Sequence, residues 1–110
     1  MASLPASFED LIRSAERPVL ADFYAEWCGP CKVVSPVVES LARAHKGSLL
    51  VVKVDIDRKP QVAGAHEVSG VPTLALFWKG RELARLTGAY PRERIEAELR
   101  KAWPADAPAL

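Results

Sequence analysis

Apolar residues form two kinds of pattern along the chain, and these predict alternating buried strands and amphipathic helices. Two near-continuous apolar runs, 18–24 and 48–56, are typical of strands in the interior of a sheet. Between them the apolar spacing changes to that of a helix, which we expect to run up to about His45. Its apolar positions are Val33, Val34, Val37, Val38, Leu41 and Ala42.

Capping residues and prolines place three further helices. The hydroxyl of Ser7, followed by two acids, predicts a helix over residues 7–15. Proline suits the first turn of a helix, because that turn needs no backbone donor there. This predicts one helix over residues 60–66 and a last helix that opens at Pro91.

A hairpin of antiparallel strands is predicted where the runs 72–78 and 82–86 flank Lys79 and Gly80. The element order is then helix, strand, helix, strand, helix, strand, strand, helix. This order makes a βαβ unit followed by a hairpin and a helix. We therefore expect an α/β protein with a mixed central sheet of about four or five strands and helices on both faces.

Length and charge limit the possible classes of protein. The 110 residues suit one domain, which we expect to occupy residues 1–103, with the Pro- and Ala-rich residues 104–110 as a loose tail. The net charge of +1 provides no basic surface for nucleic acid or an anionic membrane, so we expect neither partner. The first ten residues contain no basic residue and no apolar stretch of signal-peptide length, so we expect a cytoplasmic protein.

Cys28 and Cys31 are the candidate functional residues, because a pair at this spacing serves zinc binding, haem attachment or thiol chemistry. Structural zinc needs about four ligands, and neither His45 nor His66 has a ligand-like spacing to the pair. Haem attachment needs a histidine directly after the second cysteine, where this chain has Lys32. We therefore expect no metal, and we expect both histidines to be solvent-facing helix residues.

The position of the cysteine pair, between a buried strand and the start of a long helix, favours thiol–disulfide exchange. The positive end of the helix dipole stabilises a thiolate at Cys28. Cys31 lies one turn further in, so we expect it to be more shielded and to keep its proton. Cys28 then attacks a substrate disulfide and Cys31 resolves the mixed disulfide. Gly29 and Pro30 form the turn that holds the two sulfurs close together.

The segment from Asp22 to Lys32, which reads DFYAEWCGPCK, resembles the active-site segment of the thioredoxin family almost residue for residue. Further matches follow in the family's order: Pro36 in the long helix, the cis-proline loop at Val71-Pro72-Thr73, the hairpin turn at Lys79-Gly80, and Gly88 beside the substrate groove. The resemblance implies the thioredoxin fold and a protein-disulfide reductase.

Two features of the chain depart from the family pattern. Thioredoxins usually have an extra strand before the first helix, and only residues 1–6 are available for it here, so we expect a first strand that is short or absent. Tyr24 stands where many members have a second tryptophan, and we expect little effect on function.

The resemblance also implies roles for residues outside the cysteine pair. Asp22 is expected to lie behind Cys31 and to take its proton during resolution, since burial raises the pKa of a carboxyl group. Lys53 is expected to neighbour Asp22; the alternative is that the two form a purely structural charge pair. Val71 and Pro72 are expected to share a cis peptide bond. The expected substrate-binding patch comprises Trp27, Gly29, Pro30, Val71, Pro72, Gly88 and Ala89.

The implied partners are a thioredoxin reductase, which would pass on electrons from NADPH, and proteins that contain disulfides. We expect no bound cofactor and a monomer. One alternative is a thiol oxidant or isomerase of the same fold, but those relatives usually have His where this chain has Pro30. The other alternative, a binding module that holds other proteins without turnover, is not excluded by the sequence.

Overall fold

The computed structural model describes residues 7–110. Residues 1–6, where the short first strand was expected, lie outside the described residues. The eight predicted elements are all present, with small shifts at their ends. In chain order they are α1 (Phe8–Ser14), β1 (Val19–Tyr24), α2 (Gly29–Ala44), β2 (Leu50–Asp55), α3 (Pro60–Ala65), β3 (Thr73–Trp78), β4 (Arg81–Thr87) and α4 (Arg92–Ala102).

The four strands form a mixed sheet with the order β2-β1-β3-β4. The pair β1–β2 is parallel, as the α2 crossover requires, whereas β1–β3 and β3–β4 are antiparallel. β1 therefore lies inside the sheet, where its near-continuous apolar sequence suits burial on both faces. Within residues 7–110, no strand pairs with the outer edge of β2.

Helices cover both faces of the sheet, as predicted, and make two separate cores. Successive residues of β1 point to opposite faces, so Leu20 faces α2 and α4 while Ala21 faces α1 and α3. The α2/α4 core consists of Leu20, Val34, Val38, Leu41, Leu49, Leu74, Leu76, Ile95 and Leu99. The α1/α3 core consists of Ile12, Val19, Ala21, Phe23, Val54, Ala75 and Phe77.

The hairpin turn at Lys79-Gly80 confirms the prediction made from this dipeptide. Both residues have positive φ angles, 53° and 83°, as a two-residue turn with right-handed strand twist requires. Glycine adopts such an angle without steric cost. The Gly80 N–H also donates to the Ile12 carbonyl oxygen at 2.9 Å, which ties the turn to α1.

The expectation that the histidines face solvent is wrong for both. Only 15% of the His66 side chain is exposed; its ring packs edge-on against Phe8 and Phe77, and its Nε2 lies 2.8 Å from the Glu9 carboxylate. His45 is 14% exposed and its Nε2 lies 3.4 Å from a carboxylate oxygen of Glu96. Each histidine follows the end of a helix, where contacts with distant parts of the chain bury it.

Residues 104–110, expected to be a loose tail, contact the domain at the β3–β4 hairpin. The Asp106 carboxylate accepts hydrogen bonds from the Trp78 indole at 2.8 Å and from the Lys79 ammonium at 2.7 Å. The Trp103 indole donates to the Pro108 carbonyl oxygen at 2.8 Å, and Leu110 packs against the α2/α4 core. Proline and alanine content alone does not reveal these polar partners.

Candidate active site

The candidate site lies at one end of the sheet, where three strand ends meet. In the antiparallel register Phe23, near the end of β1, lies opposite Thr73 at the start of β3. Thr73 in turn lies opposite Thr87 at the end of β4. The loops that carry the cysteines, the Val71-Pro72 pair and Gly88 therefore come together at this end.

Cys28 and Cys31 form a disulfide with a Cα–Cα distance of 5.3 Å. Cys28 is the N-cap residue of α2, and its Sγ accepts a hydrogen bond from the Cys31 backbone N–H at 3.2 Å. After reduction, this donor and the positive end of the helix dipole favour a thiolate at Cys28. The two residues are equally buried, at 4% and 5% exposure, so the expected stronger shielding of Cys31 is not seen in the disulfide form.

Asp22 is a buried carboxyl group, 2% exposed, in the middle of β1. It lies two residues after Leu20 and therefore faces α2, the helix that carries Cys31. Burial raises the pKa of Asp22 from 3.8 to about 6. Lys53 opposes this rise, and Glu39 on α2 adds to it. A carboxyl group with this pKa exchanges its proton near neutral pH.

Lys53 lies opposite Asp22 in the parallel β1–β2 register, so the two neighbour each other as expected. Its ammonium group donates a hydrogen bond to Ser35 Oγ at 2.7 Å. The same ammonium lies 4.8 Å from the centre of the Tyr24 ring, within cation–π distance. Lys53 therefore acts on Asp22 through its charge while its direct contacts are to Ser35 and Tyr24.

The Val71–Pro72 peptide bond is cis, as the resemblance implied. Val71 packs against the cluster formed by Ala25, Cys28 and Cys31, which places it beside the disulfide. The Pro72 carbonyl oxygen accepts a hydrogen bond from the Gly88 N–H at 2.9 Å. Gly88 has a φ angle of 120°, a conformation that favours glycine. The structure thus brings together the cysteine cluster, Val71, Pro72 and Gly88.

Trp27 is 70% exposed, which is unusual for so large an apolar side chain. Its indole N–H donates to Asp57 Oδ2 at 2.8 Å, and the Asp57 backbone N–H donates to the Asp55 carboxylate at 2.9 Å. Gly29 and Pro30 are exposed at the start of α2, and Ala89 is exposed beside Gly88.

Sequence reasoning missed Ser35, Glu39 and Asp57. For the first two a signal was available, because Cys31, Ser35 and Glu39 are spaced by four residues and so share one face of α2. Asp57 gave no such signal, since its contact with Trp27 joins residues 30 positions apart.

Within residues 7–110, no three His, Cys, Asp or Glu side chains are grouped closely enough to hold a metal ion. No helix in this range has both the length and the apolar character needed to cross a membrane.

A disulfide between the N-cap and first turn of a helix, on a sheet that carries a buried carboxyl group with a raised pKa, defines a thiol–disulfide oxidoreductase. Comparison with known proteins gives the family: the family model described as Thioredoxin matches residues 2–101. The chain belongs to the thioredoxin family and has the dithiol disulfide-reductase function of that family.

Individual relatives agree with this assignment. The chain is 47% identical over 96 residues to thioredoxin 1 of Chlorobaculum tepidum, covering 87% of this chain and 95% of the relative. It is 39% identical to a thioredoxin of Alicyclobacillus acidocaldarius, with 90% and 93% covered, and 43% identical to a thioredoxin of Mycobacterium bovis, with 86% and 81% covered. The expected fold class is confirmed by the family match together with the mixed sheet.

Proposed function

We propose that this protein reduces disulfides of other proteins, its clients, in two exchange steps, with Asp22 as the proton acceptor in the second. The observation that carries this proposal is the buried Asp22 carboxyl group, which faces the helix of Cys31 and has a pKa of about 6. A group with this pKa is mostly ionised at pH 7 and can still take up a proton from a thiol.

In the first step the Cys28 thiolate attacks one sulfur of the client disulfide. A bond forms between Cys28 Sγ and that sulfur, and the second client sulfur leaves as a thiolate. In the next step the Cys31 thiol gives its proton to Asp22 and attacks Cys28 Sγ. The mixed disulfide breaks, the client leaves with its cystine reduced by two electrons, and the Cys28–Cys31 disulfide remains.

Lys53 has an auxiliary role in this scheme. Its positive charge lowers the pKa of Asp22 and so keeps a larger fraction of the carboxyl group ionised at neutral pH. In this proposal the charge of Lys53 has a use in turnover that a purely structural pair would lack, and its hydrogen bond goes to Ser35.

Client proteins bind, in this proposal, on the surface around the disulfide formed by Trp27, Gly29, Pro30, Val71, Pro72, Gly88 and Ala89. Support comes from the exposed indole of Trp27 and from the contact of Val71 with the cysteine cluster. An extended client segment can pair with the Val71 backbone, as peptides do at a sheet edge.

The source of electrons also follows from the family. We propose that a thioredoxin reductase restores the dithiol with electrons from NADPH, that no cofactor is bound, and that the protein works as a monomer in the cytoplasm. The balanced charge, 15 basic against 14 acidic residues, agrees with protein clients rather than nucleic acid.

The experiment compares the wild type with Asp22→Asn in single turnover on a peptide disulfide. We expect the resolution step at pH 7 to slow by roughly 10²-fold, the usual contribution of a general base, while the attack by Cys28 is retained. The wild-type rate of resolution should rise with pH through a midpoint near 6, and the variant should lack this midpoint.

Asp10→Asn is the matched control, because it makes the same change on an exposed carboxylate of α1. We expect it to keep the wild-type rate and profile. If Asp22→Asn resolves the mixed disulfide as fast as this control at pH 7, Asp22 is not the proton acceptor.

A further inference from the structure

A cleft beside the disulfide lies on the surface where the end of β1, the first turns of α2 and Lys53 of β2 meet. It is lined by Tyr24, Ala25, Glu26, Cys31, Lys32, Ser35 and Lys53. The cleft therefore joins the resolving cysteine to the lysine whose charge acts on Asp22. The position of the Lys53 ammonium within this cleft determines how strongly its charge interacts with Asp22, since the interaction weakens as the distance between the two groups increases.

Two contacts fix the Lys53 ammonium, and they come from two different elements. Ser35 Oγ of α2 accepts its hydrogen bond at 2.7 Å, and the Tyr24 ring at the end of β1 lies 4.8 Å away. A lysine side chain has four rotatable bonds, and holding it in one conformation costs side-chain conformational entropy. Without such contacts, an exposed lysine would spend much of its time extended into water.

Ser35 is placed for this contact by the helix period. It follows Cys31 by four residues and so lies one turn further along the same face of α2. Pro36, the next residue, is exposed and does not share this contact. Lys53 lies opposite Asp22 on the neighbouring strand, so α2 approaches the lysine from above the sheet face that carries Asp22.

We propose that Ser35 is a positioning residue, which holds the Lys53 ammonium between α2 and the Tyr24 ring and thereby sets the proton affinity of Asp22. This inference deepens the proposed function and rests on it for its catalytic meaning. Other charged groups face the same region: Glu39 on the next turn of α2, and Glu26 and Lys32 at the cleft. Among the described residues, the side chains of these three groups make no hydrogen bond to the side chain of Ser35 or of Lys53.

Loss of the Ser35 hydroxyl is expected to raise the pKa of Asp22. In Ser35→Ala the ammonium loses its acceptor and extends toward water, which weakens its interaction with Asp22. The Asp22 pKa should then rise above its wild-type value of about 6, since Lys53 is the group that lowers it. A shift of roughly half a unit is expected for partial loss of one charge–charge interaction at an effective dielectric constant of about 20.

The experiment follows the carboxyl carbon of Asp22 by NMR as a function of pH in the disulfide form of the full chain. Ser35→Ala should raise the midpoint, and Ser35→Thr, which keeps a hydroxyl, should restore it. Ser40→Ala is the matched control, because Ser40 lies on the same helix and its hydroxyl accepts from Arg92 of α4 instead. It should leave the midpoint unchanged.

A double variant tests whether Ser35 acts through Lys53. Lys53→Gln alone should raise the Asp22 midpoint by more than Ser35→Ala does. In the Lys53→Gln background, Ser35→Ala should then cause no further shift. An equal shift in both backgrounds, or no shift in either, overturns the positioning role even though both variants fold.

The titration and the turnover rates separate this inference from the proposed function. The carboxyl midpoint reports whether Ser35 positions Lys53, regardless of what Asp22 does in turnover. If the midpoint moves as expected and the pH profile of resolution follows it, both proposals are supported. If the midpoint moves and the profile does not, Ser35 positions Lys53 but Asp22 is not the proton acceptor.

Discussion

The α1/α3 core and the α2/α4 core lie on opposite faces of one sheet, and they differ in what interrupts them. On the α1/α3 side the rings of Phe8, Phe23 and Phe77 pack edge-on at centroid distances of 5.6 to 6.1 Å, and His66 joins them. On the other side the apolar surface is interrupted by the buried Asp22. The α2/α4 face therefore buries a carboxyl group whose raised pKa is a cost in stability at neutral pH, and the α1/α3 face is packed with aromatic rings.

The largest expected effect comes from the cysteines at the start of α2, the helix that covers the Asp22 face of the sheet. Cys31→Ser should stop turnover and accumulate the mixed disulfide between Cys28 and the client, because no thiol remains to resolve it. Mass spectrometry under non-reducing conditions measures this adduct. Cys28→Ser is the matched variant and should form no adduct at a comparable rate; client release by Cys31→Ser at the wild-type rate would contradict the assignment of the two sulfurs.

The next effect should appear in stability alone, on the opposite face. Phe77 is 1% exposed and contacts both Phe8 and His66, so Phe77→Ala should lower the free energy of unfolding by about 3–5 kcal/mol. Denaturant titration measures this loss. The pH midpoint of the resolution step should stay near the wild-type value in the folded variant, and a displaced midpoint would show that the two faces are coupled.

The smallest effect concerns the histidine–carboxylate contacts that join helices on each face. Glu9→Gln removes the carboxylate that contacts His66. Because this carboxylate is 47% exposed, we expect the free energy of unfolding to fall by less than about 1 kcal/mol. Glu96→Gln, on the other face, removes a carboxylate that contacts both His45 and Arg92 and should cost more. Thermal or denaturant unfolding of the two variants compares them, and a larger loss in Glu9→Gln would reverse this order.

Much of the architecture could be predicted from local patterns in the sequence. Apolar runs revealed the strands β1 and β2, but of these only β1 is buried along nearly all of its length; within residues 7–110, β2 lies at the edge of the sheet and is half-buried or exposed over most of its length. The Lys79-Gly80 turn was predicted from its dipeptide, and both residues adopt positive φ angles. The cysteine pair was placed correctly at the start of α2, because the apolar run of the strand ends at Tyr24 and the helical spacing of apolar residues begins at Val33.

Contacts between distant residues account for what could not be predicted. The burial of His66 depends on Phe8 and Phe77, which are far from it in the chain. The hydrogen bond from Lys53 to Ser35 joins residues 18 positions apart, and neither residue type alone indicates it. Likewise, Asp106 meets Trp78 and Lys79 only once the chain has folded.

Asp22 is a buried carboxyl group with a raised pKa, and measuring the unfolding free energy of the wild type and of Asp22→Asn as a function of pH tests this directly. Below about pH 3.8 the carboxyl group is protonated in both folded and unfolded chains, so the two proteins should be similarly stable. As the pH rises toward about 6, the unfolded chain ionises first and the wild type loses stability relative to the variant.

A rise in pKa from 3.8 to about 6 corresponds to about 3 kcal/mol. We therefore expect Asp22→Asn to be more stable than the wild type by about 3 kcal/mol at pH 7, with the difference becoming small near pH 4 and vanishing below about pH 3. A difference that stays constant between pH 4 and pH 7, or a variant that is less stable at pH 7, would contradict this expectation.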